Sequence, residues 1–376
     1  MSNAPAAVLP RWMDYVVLPL LNLLLAFIVS GLVVVAIGEN PIDALTTLVD
    51  GALGSQEGIG YTIYYATDMV FVGLAVAVAF HCGLFNIGCE GQAYIGGLGV
   101  GLVCLYLDFL PFWAIVPLAI IGGLVFGAGW AAIPAWLQAR RGSHIVITTI
   151  MFNFIAYSLM NYLLVHVLIK PGQMSPESRG FLPNAQLPFI HEILAGLGIT
   201  VSETPLNITV FWAIICLVFV WIFVWHTRWG YALRVVGANP SAAIYGGIEP
   251  GKQVIISMLL SGALVAGVGL NEVMGVQHKI QLGFTEGYGF TGIAVALIGR
   301  NHPIGIALAA LLFGALYQGG GELSFEMPDI SREMVVVIQG LVILFTGALE
   351  SMFRPALARL ARRLVKPAAS AAVKAA

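Results

Sequence analysis

The sequence predicts an all-α polytopic membrane protein with about ten transmembrane helices, including broken or re-entrant segments. Its 376 residues are 59% hydrophobic and only 10% charged, whereas soluble globular chains carry about 25% charged residues. The apolar residues form runs long enough to cross roughly 30 Å of hydrocarbon. Many of the 44 glycines lie inside these runs. The pairs Gly97-x-x-x-Gly101 and Gly123-x-x-x-Gly127 favour close contact between helices.

Ten apolar runs are expected to span the membrane. They cover residues 15–38, 62–80, 92–108, 112–136, 145–168, 207–226, 253–270, 287–299, 303–320 and 333–350. The first run is too long for the apolar region of a cleaved signal peptide and lacks a small-residue cleavage motif. We therefore predict a membrane domain over residues 15–353, an N-terminal segment over 1–14 and a basic tail over 354–376.

The distribution of basic residues predicts the orientation of the chain. With ten alternating spans and a cytoplasmic N-terminus, 13 of the 17 basic residues face the cytoplasm. The four that remain outside are Lys170, Arg179, Lys279 and Arg332. Because Lys and Arg are enriched in cytoplasmic loops, we expect both termini to be cytoplasmic. The long connection, residues 170–206, is then external, and the basic loop, residues 227–252, is cytoplasmic.

A polar, glycine-rich stretch between the second and third runs is a candidate functional site. Residues 81–92 read HCGLFNIGCEGQ, so that Asn86, Glu90 and Gln92 lie among three glycines. Non-helical backbone at membrane depth occurs only where it faces protein or a wet cavity. An ionisable group at that depth is a functional candidate. The alternatives are that Glu90 caps the start of a helix or lies at the cytoplasmic surface.

Two apparent cofactor sites are disfavoured by their spacing. His81, Cys82, Cys89 and Glu90 lack the paired arrangement of zinc ligands, so we expect buried free thiols and no metal. Residues 246–253 approach the phosphate-binding pattern G-x-x-x-x-G-K-[ST] but end in glutamine. We expect this chain to bind no cofactor, and any ATP and Mg²⁺ to be bound by another polypeptide.

The basic loop is expected to carry a short, well-capped helix. Asn239 is a favourable N-cap, and Pro240 suits the first helical position. After one or two turns, Gly246 or Gly247 ends the helix in the left-handed conformation. Such a helix buries little area on lipid headgroups, so we expect a soluble partner to hold it in a groove.

The connection between the seventh and eighth runs contains further polar residues. These residues are expected at the outer end of the two runs, where three roles are equally open. They could line a solute entrance, dock a delivery protein or be solvated loop charges. The residues are Glu272, His278, Lys279, Gln281 and Glu286. A short sequence motif also occurs in both halves of the chain. Phe85-x-x-Gly88 precedes the third run and Phe284-x-x-Gly287 precedes the eighth, which runs in the opposite direction. This pattern indicates an inverted repeat, which places solute sites near the membrane midplane.

These stretches resemble the permeases of the branched-chain amino acid, simple sugar and nucleoside class of ABC importers. Residues 83–92 are similar to the Phe-Asn-Ile-Gly-x-Glu-Gly-Gln signature of the nucleoside branch. Segments 227–242 and 289–299 match the same class, so the resemblance covers about residues 60–350. Cys89 departs from the small Ala or Val that is common at its position.

The resemblance implies a transport function with defined partners. The chain would be a permease in a bacterial inner membrane, without catalytic residues, and two cytoplasmic ATPase domains would hydrolyse ATP. A second, homologous permease and an extracytoplasmic solute-binding lipoprotein would complete the importer, with the second permease identical or paralogous. The resemblance places the coupling helix within residues 231–247. The residues expected to contact the ATPase are Arg234, Gly237, Asn239, Pro240, Ala242 and Tyr245.

The expected solute is a nucleoside, and riboflavin, a purine base and a simple sugar remain open. A hydrogen-bonding solute would suit Asn86, Glu90, Gln92 and Asn153. An ion-coupled carrier is the alternative mechanism, with Asp68 and Glu90 as its candidate membrane-depth carboxylates. An intramembrane enzyme is disfavoured because the runs lack paired histidines, an H-E-x-x-H motif and a nucleophile elbow. Membrane lipid is an expected partner and nucleic acid is not.

Overall fold

The computed structural model describes residues 17–345, together with Met13 and Leu357. Within this part of the chain, the β-pairing consists of two isolated bridges, Glu177 with Gln281 and Phe189 with Asn207. All other regular structure there is helical, which confirms the predicted all-α class. Apart from Met13 and Leu357, the predicted N-terminal segment and basic tail lie outside the described residues.

The helices follow one another with short connections, except for the long connection. They are α1 (Leu18–Ile37), α2 (Pro41–Leu53), α3 (Gln56–His81), α4 (Cys89–Tyr106), α5 (Phe112–Arg141), α6 (Ile145–His166), α7 (Ile190–Gly196), α8 (Thr209–His226), α9 (Arg228–Ala238), α10 (Pro240–Tyr245), α11 (Pro250–Gln277), α12 (Tyr288–Ile298), α13 (Pro303–Glu326) and α14 (Arg332–Ile343). The last turns of α11, Leu270–Gln277, are π-helical. A 3-10 turn, Pro183–Ala185, lies within the long connection.

Seven described helices are long and apolar enough to cross a membrane. They are α1, α3, α5, α6, α8, α11 and α13, and they coincide with seven of the ten predicted runs. The run 92–108 corresponds to α4, whose polar start lowers its hydropathy, and 287–299 corresponds to α12, which has 11 residues. The described part of the run 333–350 ends with α14 and the residues just after it. The total of ten spans stays a prediction.

Contacts divide the chain into two compact units. The first unit comprises residues up to Thr47 and from Leu323 onward, and the second comprises Leu48–Glu322. In the first unit, α1 packs on α14. One core of this unit consists of Val34, Ala44, Leu323, Ile330, Val335 and Ile338. The second unit contains every candidate functional residue predicted from the sequence.

Helix α3 forms the centre of the second unit. In its most apolar 18-residue window 83% of the residues are buried, against 22% for both α5 and α6. The outer helices keep large apolar side chains exposed, among them Ile121 of α5, Phe154 of α6 and Phe211 of α8. Exposed apolar surface of this extent suits contact with lipid. The second unit therefore has a protein-enclosed central helix and an outer layer suited to hydrocarbon.

The two ends of α3 contact different connections. Near the start of α3, Gly60 packs against Thr204 of the long connection. At the other end, Gly237 of α9 packs against the carbonyl oxygen of His81. The long connection and the basic loop therefore lie at opposite ends of one membrane-length helix.

Glycine allows the close approach of α5 to α11. A Cβ on Gly127 would lie 2.2 Å from the carbonyl oxygen of Gly262, and a Cβ on Gly262 would lie 2.3 Å from that of Gly127. The two backbones are therefore in direct contact. The predicted pair Gly123-x-x-x-Gly127 lies in this interface, since Gly123 also packs against Ala266 of α11.

Replacement of Gly127 by leucine is expected to destabilise the second unit, because the side chain has no room beside Gly262. Overpacking of this kind costs about 1–3 kcal/mol, which we expect to lower the thermal unfolding midpoint of the detergent-purified protein. The control is Gly129→Leu in the same helix, where an added Cβ meets nothing within 4 Å. Equal midpoints for the two variants would contradict this interface.

Candidate functional site

The chain between α3 and α4 is non-helical although most of it is buried or half-buried. Residues 82–88 connect the two helices, and Gly83 takes a left-handed φ of 75°. Leu84 and Asn86 are buried. The break expected from the glycines is present, and its buried backbone groups require hydrogen-bond partners within the protein.

Asn86 supplies several of these partners. Its Oδ1 accepts a hydrogen bond from the N–H of Gly88 at 2.9 Å. Its Nδ2 donates to Oε1 of Gln92 at 3.1 Å and to Oγ of Ser261 in α11 at 2.9 Å. The exposures of Asn86 and Gln92 are 0% and 1%. Asn86 therefore ties the broken segment to α4 and α11 at once.

Asn153 of α6 holds the other side of the same break. Its Oδ1 accepts a hydrogen bond from the N–H of Gly91, and its Nδ2 donates to the carbonyl oxygen of Ile87, both at 2.9 Å. A Cβ on Gly91 would lie 2.8 Å from that Oδ1, so glycine allows this approach. The amide of Asn153 fixes the start of α4 against α6.

Glu90 links the start of α4 to the start of α12. Its Oε2 accepts a hydrogen bond from the N–H of Gly289 at 2.8 Å. Its Oε1 accepts from the N–H of Gly287 at 3.3 Å and from the hydroxyl of Thr285. The first N–H groups of a helix lack partners within the helix, and the helix dipole favours a negative charge there. Glu90 therefore caps α12 from another helix.

The main chains of α4 and α12 also meet at this point. A Cβ on Gly289 would lie 2.3 Å from the backbone nitrogen of Glu90. We name this contact the junction. From it, α12 runs alongside the second half of α3, with Gly292 packed against Val72. Helix α4 runs the opposite way to α12, alongside and parallel to α11, with Gly96 packed against Ala266 and Gly101 against Val273. Helices α4 and α12 therefore start at the same point and run away from each other in opposite directions.

The junction shows where the broken segments predicted from the sequence meet. The runs 92–108 and 287–299 are predicted to cross in opposite directions, and α4 and α12 start at the same point rather than a bilayer apart. The starts lie side by side because the segments 82–88 and 278–287 are non-helical and approach the junction from the two ends of the bundle. Helix α12, with 11 residues, is too short to cross the membrane alone. This arrangement agrees with the inverted repeat indicated by the echoed motifs.

A second polar cluster lies next to the junction. The hydroxyl of Tyr64 donates to Oε1 of Glu272, and Nδ2 of Asn271 donates to Oδ2 of Asp68 at 2.8 Å. All four residues are buried, which contradicts the solvated-charge alternative for Glu272. Tyr64 and Asp68 stand four residues apart on one face of α3. This i, i+4 spacing of two polar residues within an apolar run is the signal in the sequence that could indicate the cluster.

The long connection is anchored at the ends of α4 and α11. Nη1 of Arg179 lies 2.7 Å from Oδ2 of Asp108, and Arg179 also donates to the carbonyl oxygen of Leu105, in the last turn of α4. Lys279 pairs with Glu177 at 2.6 Å. The hydrogen bond from Lys279 lowers the pKa of the Glu177 carboxyl below its usual range. This ion pair therefore contributes at neutral pH and is lost as the pH falls through the range of that carboxyl.

The basic loop contains the short helix expected from its sequence. Oδ1 of Asn239 accepts hydrogen bonds from the N–H groups of Ser241 at 3.0 Å and Ala242 at 3.1 Å. Pro240 occupies the first position of α10. Gly247 follows the helix with a left-handed φ of 74°. The cap and the terminating glycine therefore define α10 as the sequence predicts.

Helix α10 presents an exposed apolar edge. Tyr245 is 97% exposed and Ile244 is 65% exposed, whereas Ala243 is buried. Arg234 is half-buried in α9. Of the residues predicted to contact an ATPase, Tyr245 has the most available surface, and Asn239 and Pro240 shape the helix that carries it.

Gly237 connects the basic loop to the broken segment. A Cβ at this position would lie 2.2 Å from the carbonyl oxygen of His81 and 2.9 Å from the nitrogen of Gly83. The end of α9 therefore rests directly on the main chain where α3 ends. The other end of this broken segment is held by Asn86 at the junction.

The cysteines belong to the packing of the described residues. All four are free and buried, as predicted. Sγ of Cys89 accepts a hydrogen bond from Nδ2 of Asn86 at 3.5 Å. In residues 17–345, no group of three or more His, Cys, Asp and Glu side chains is arranged to hold a metal ion.

Broken helices that meet inside an apolar bundle, between a packed connection and an exposed short helix, define a membrane permease. Residues 58–347 match the family described as the permease component of branched-chain amino acid transport systems. The chain belongs to this family. It is a multi-pass protein of the plasma membrane.

Its relatives extend over nearly the whole chain. The glucose ABC transporter permease protein TsgB13 of Haloferax volcanii is 34% identical over 91% of this chain and 89% of its own. The guanosine ABC transporter permease protein NupP of Bacillus subtilis is 32% identical over 89% and 94%. The nucleoside ABC transporter permease protein NupB of Lactococcus lactis is 34% identical over 88% and 90%. The predicted class, an ABC transporter permease subunit, is confirmed.

Removal of the Glu90 carboxylate is expected to loosen the junction. Glu90→Ala leaves the N–H groups of Gly287 and Gly289 without their acceptor, at about 1–3 kcal/mol for each unpaired group. Glu90→Gln keeps one acceptor oxygen and is expected to lose less. We expect faster amide hydrogen exchange over residues 283–291 in the alanine variant. The control is the exposed Glu203→Ala, and exchange in Glu90→Ala as slow as in this control would contradict the role of Glu90.

Proposed function

We propose that this chain is the membrane-spanning subunit of an importer for nucleosides, driven by ATP hydrolysis on separate subunits. The observation that carries the proposal is the position of its nucleoside-type signature. Residues 83–92 form the broken segment and supply Glu90, which links α4 to α12. Similarity to named guanosine and nucleoside permeases along most of the chain supports the same conclusion.

The proposed topology has ten spans with both termini in the cytoplasm of a bacterial inner membrane. The long connection is then external and the basic loop cytoplasmic. Their contacts with opposite ends of α3, through Gly60 and Gly237, support their placement on opposite sides of the membrane. The positions of Arg179 and Lys279, which fix the long connection, agree with an external pair of basic residues.

We infer that the junction controls the solute pathway. The polar groups of Asn86, Glu90, Gln92 and Asn153 are engaged with the protein in this conformation. Asn86 and Gln92 are shielded, whereas Glu90 and Asn153 are half-buried. Separation of α4 from α12 would free the Glu90 carboxylate to bind a solute hydroxyl or base. Movement of α4 against α6 and α11 would free the amides of Asn86, Gln92 and Asn153. The same four residues would then hold the closed state and line the open one.

We propose that α10 receives the motion of the ATPase. Tyr245 and Ile244 provide the apolar surface for a groove on that partner, and Arg234, Asn239, Pro240 and Ala242 shape or flank it. Gly237 rests on the main chain of His81 and Gly83. A push on α10 would therefore reach the broken segment through backbone contact.

The remaining partners follow from the same proposal. Two cytoplasmic ATPase domains would bind ATP and Mg²⁺, and a solute-binding lipoprotein would dock on the long connection. A paralogous second permease would complete the membrane unit. Bacillus subtilis has two guanosine permease proteins, NupP and NupQ, and both are similar to this chain. This similarity to two proteins of one organism supports a pair of different permeases.

A simple sugar is the second candidate solute. The glucose permease protein TsgB13 is as similar to this chain as the nucleoside permease protein NupB, at 34% identity each. A nucleoside contains both a sugar with hydroxyl groups and a base. Hydrogen bonding at the junction therefore suits either solute, and transport measurements must separate them.

Substitution of Gly237 by alanine is expected to reduce uptake without abolishing assembly of the importer. The added methyl group collides with main-chain atoms of His81 and Gly83, which cannot rotate away as a side chain can. Strain of about 1.4 kcal/mol in one conformation of the permease changes its population relative to the other tenfold. Uptake by cells and co-purification of the ATPase are the two measurements. The control is Gly251→Ala in α11, where the nearest atom to an added Cβ is 3.6 Å away. Normal uptake with Gly237→Ala would contradict the proposed contact path.

The solute is tested by uptake in cells that lack their own nucleoside transport and express this chain with its partner subunits. We expect labelled guanosine to accumulate and unlabelled nucleosides to compete, while glucose and riboflavin do not. If glucose but no nucleoside competes with the uptake, the solute is a simple sugar instead. Guanosine uptake by the purified chain alone in liposomes, driven by a pH or Na⁺ gradient, would replace the ATP-driven importer with an ion-coupled carrier.

A further inference from the structure

Two acidic side chains meet in the interior of the second unit, beside the junction. Asp68 of α3 is fully buried, and Glu272 in the π-helical end of α11 is 4% exposed. Asp68 accepts a hydrogen bond from Asn271, and Glu272, the next residue, accepts one from Tyr64, which lies one turn before Asp68 on the same helix. Two carboxylates only accept hydrogen bonds, so a bond between them requires a proton on one of them.

The surrounding hydrogen bonds indicate which oxygen carries this proton. Both oxygens of Glu272 already accept, Oε1 from the hydroxyl of Tyr64 and Oε2 from Nε2 of Gln277 at 3.4 Å. Oδ2 of Asp68 accepts from Nδ2 of Asn271. Oδ1 of Asp68 is buried and receives no hydrogen bond from the described part of the chain. It is therefore the oxygen that a proton would convert from an unpaired acceptor into a donor.

In the part of the chain that the structure describes, the groups named beside this pair are uncharged or acidic. Tyr64 on α3 and Tyr288 at the start of α12 are neutral hydroxyls, and Glu286 before α12 adds a further acidic group. Asn207, before α8, contacts the cluster through Asn271 and is also uncharged. Like charges buried in contact cannot both remain ionised without a cation.

We propose that Asp68 and Glu272 form a proton-binding site, with the proton on Oδ1 of Asp68 and donated to Glu272. The bound proton fastens the outer half of α3 to the π-helix Leu270–Gln277. π-Helical turns recur at functional sites because they disturb the regular hydrogen bonding of a helix, and here the turn places Asn271 and Glu272 towards α3. This site is independent of the solute and of the ATP-driven mechanism proposed above.

Loss of the proton leaves two adjacent carboxylates that repel each other. The folded protein binds this proton more tightly than the unfolded chain does, so the contribution to stability is complete at acidic pH. It is lost as the pH rises through the titration of the folded pair. For one proton, the unfolding constant increases by at most about tenfold for each pH unit between the titration of the unfolded carboxyl groups and that of the folded pair, and it levels off above the latter.

The test compares thermal unfolding of the detergent-purified full chain from mildly acidic to alkaline pH. We expect the midpoint of the unmodified protein to fall as the pH rises. Asp68→Asn places an N–H donor where the proton sits and is expected to keep the acidic-pH midpoint throughout. Glu272→Gln also removes one of the two charges and is expected to behave alike. The exposed control Glu203→Gln should retain the unmodified pH dependence, and a fall as steep in both Asp68→Asn and Glu272→Gln would overturn the proposal.

Infrared spectroscopy tests the proton directly. We expect the unmodified protein at neutral pH to show the carbonyl band of a protonated carboxylic acid, shifted by deuterium exchange and missing from Asp68→Asn. Absence of the band from the unmodified protein, or its persistence in Asp68→Asn and Glu272→Gln, would overturn the proposal. Stabilisation by Na⁺ at constant pH that disappears in Asp68→Asn would assign the site to a metal ion and also overturn it.

Discussion

The carboxylate of Glu90 belongs to the first turn of one helix and accepts hydrogen bonds from the first N–H groups of another. Two helix starts repel each other through their dipoles and expose unpaired donors, so they cannot meet in an apolar bundle without such a group. The glycines at the junction then permit main-chain contact. The opposite directions of α4 and α12, and the inward course of the segments before them, depend on this one interaction.

Contacts through main chain link the junction to one end of the bundle. Asn86 holds the broken segment near Glu90, and Gly237 rests on the other end of the same segment. Side chains can absorb a displacement by changing rotamer, whereas packed main chain transmits it. The glycine at position 237 is therefore important because it brings the two backbones into direct contact.

The sequence predicted those features that depend on local composition or spacing. Seven runs coincide with membrane-length helices because hydropathy alone defines them, and α10 could be predicted because Asn239 and Pro240 encode its start. The junction could not, since hydropathy does not reveal how far a glycine-rich segment enters the bundle. The cluster of Asp68 and Asn271 joins residues 203 positions apart, and only the fold brings them together.

The enclosure of α3 has a consequence for natural variation among related proteins. A helix that faces lipid can exchange one apolar residue for another at little cost, as the outer faces of α5, α6 and α8 should. Helix α3 is surrounded by other helices, so each change in side-chain volume must be matched by a neighbour. Substitutions in α3 should therefore accumulate in compensating pairs, whereas the outer helices drift independently.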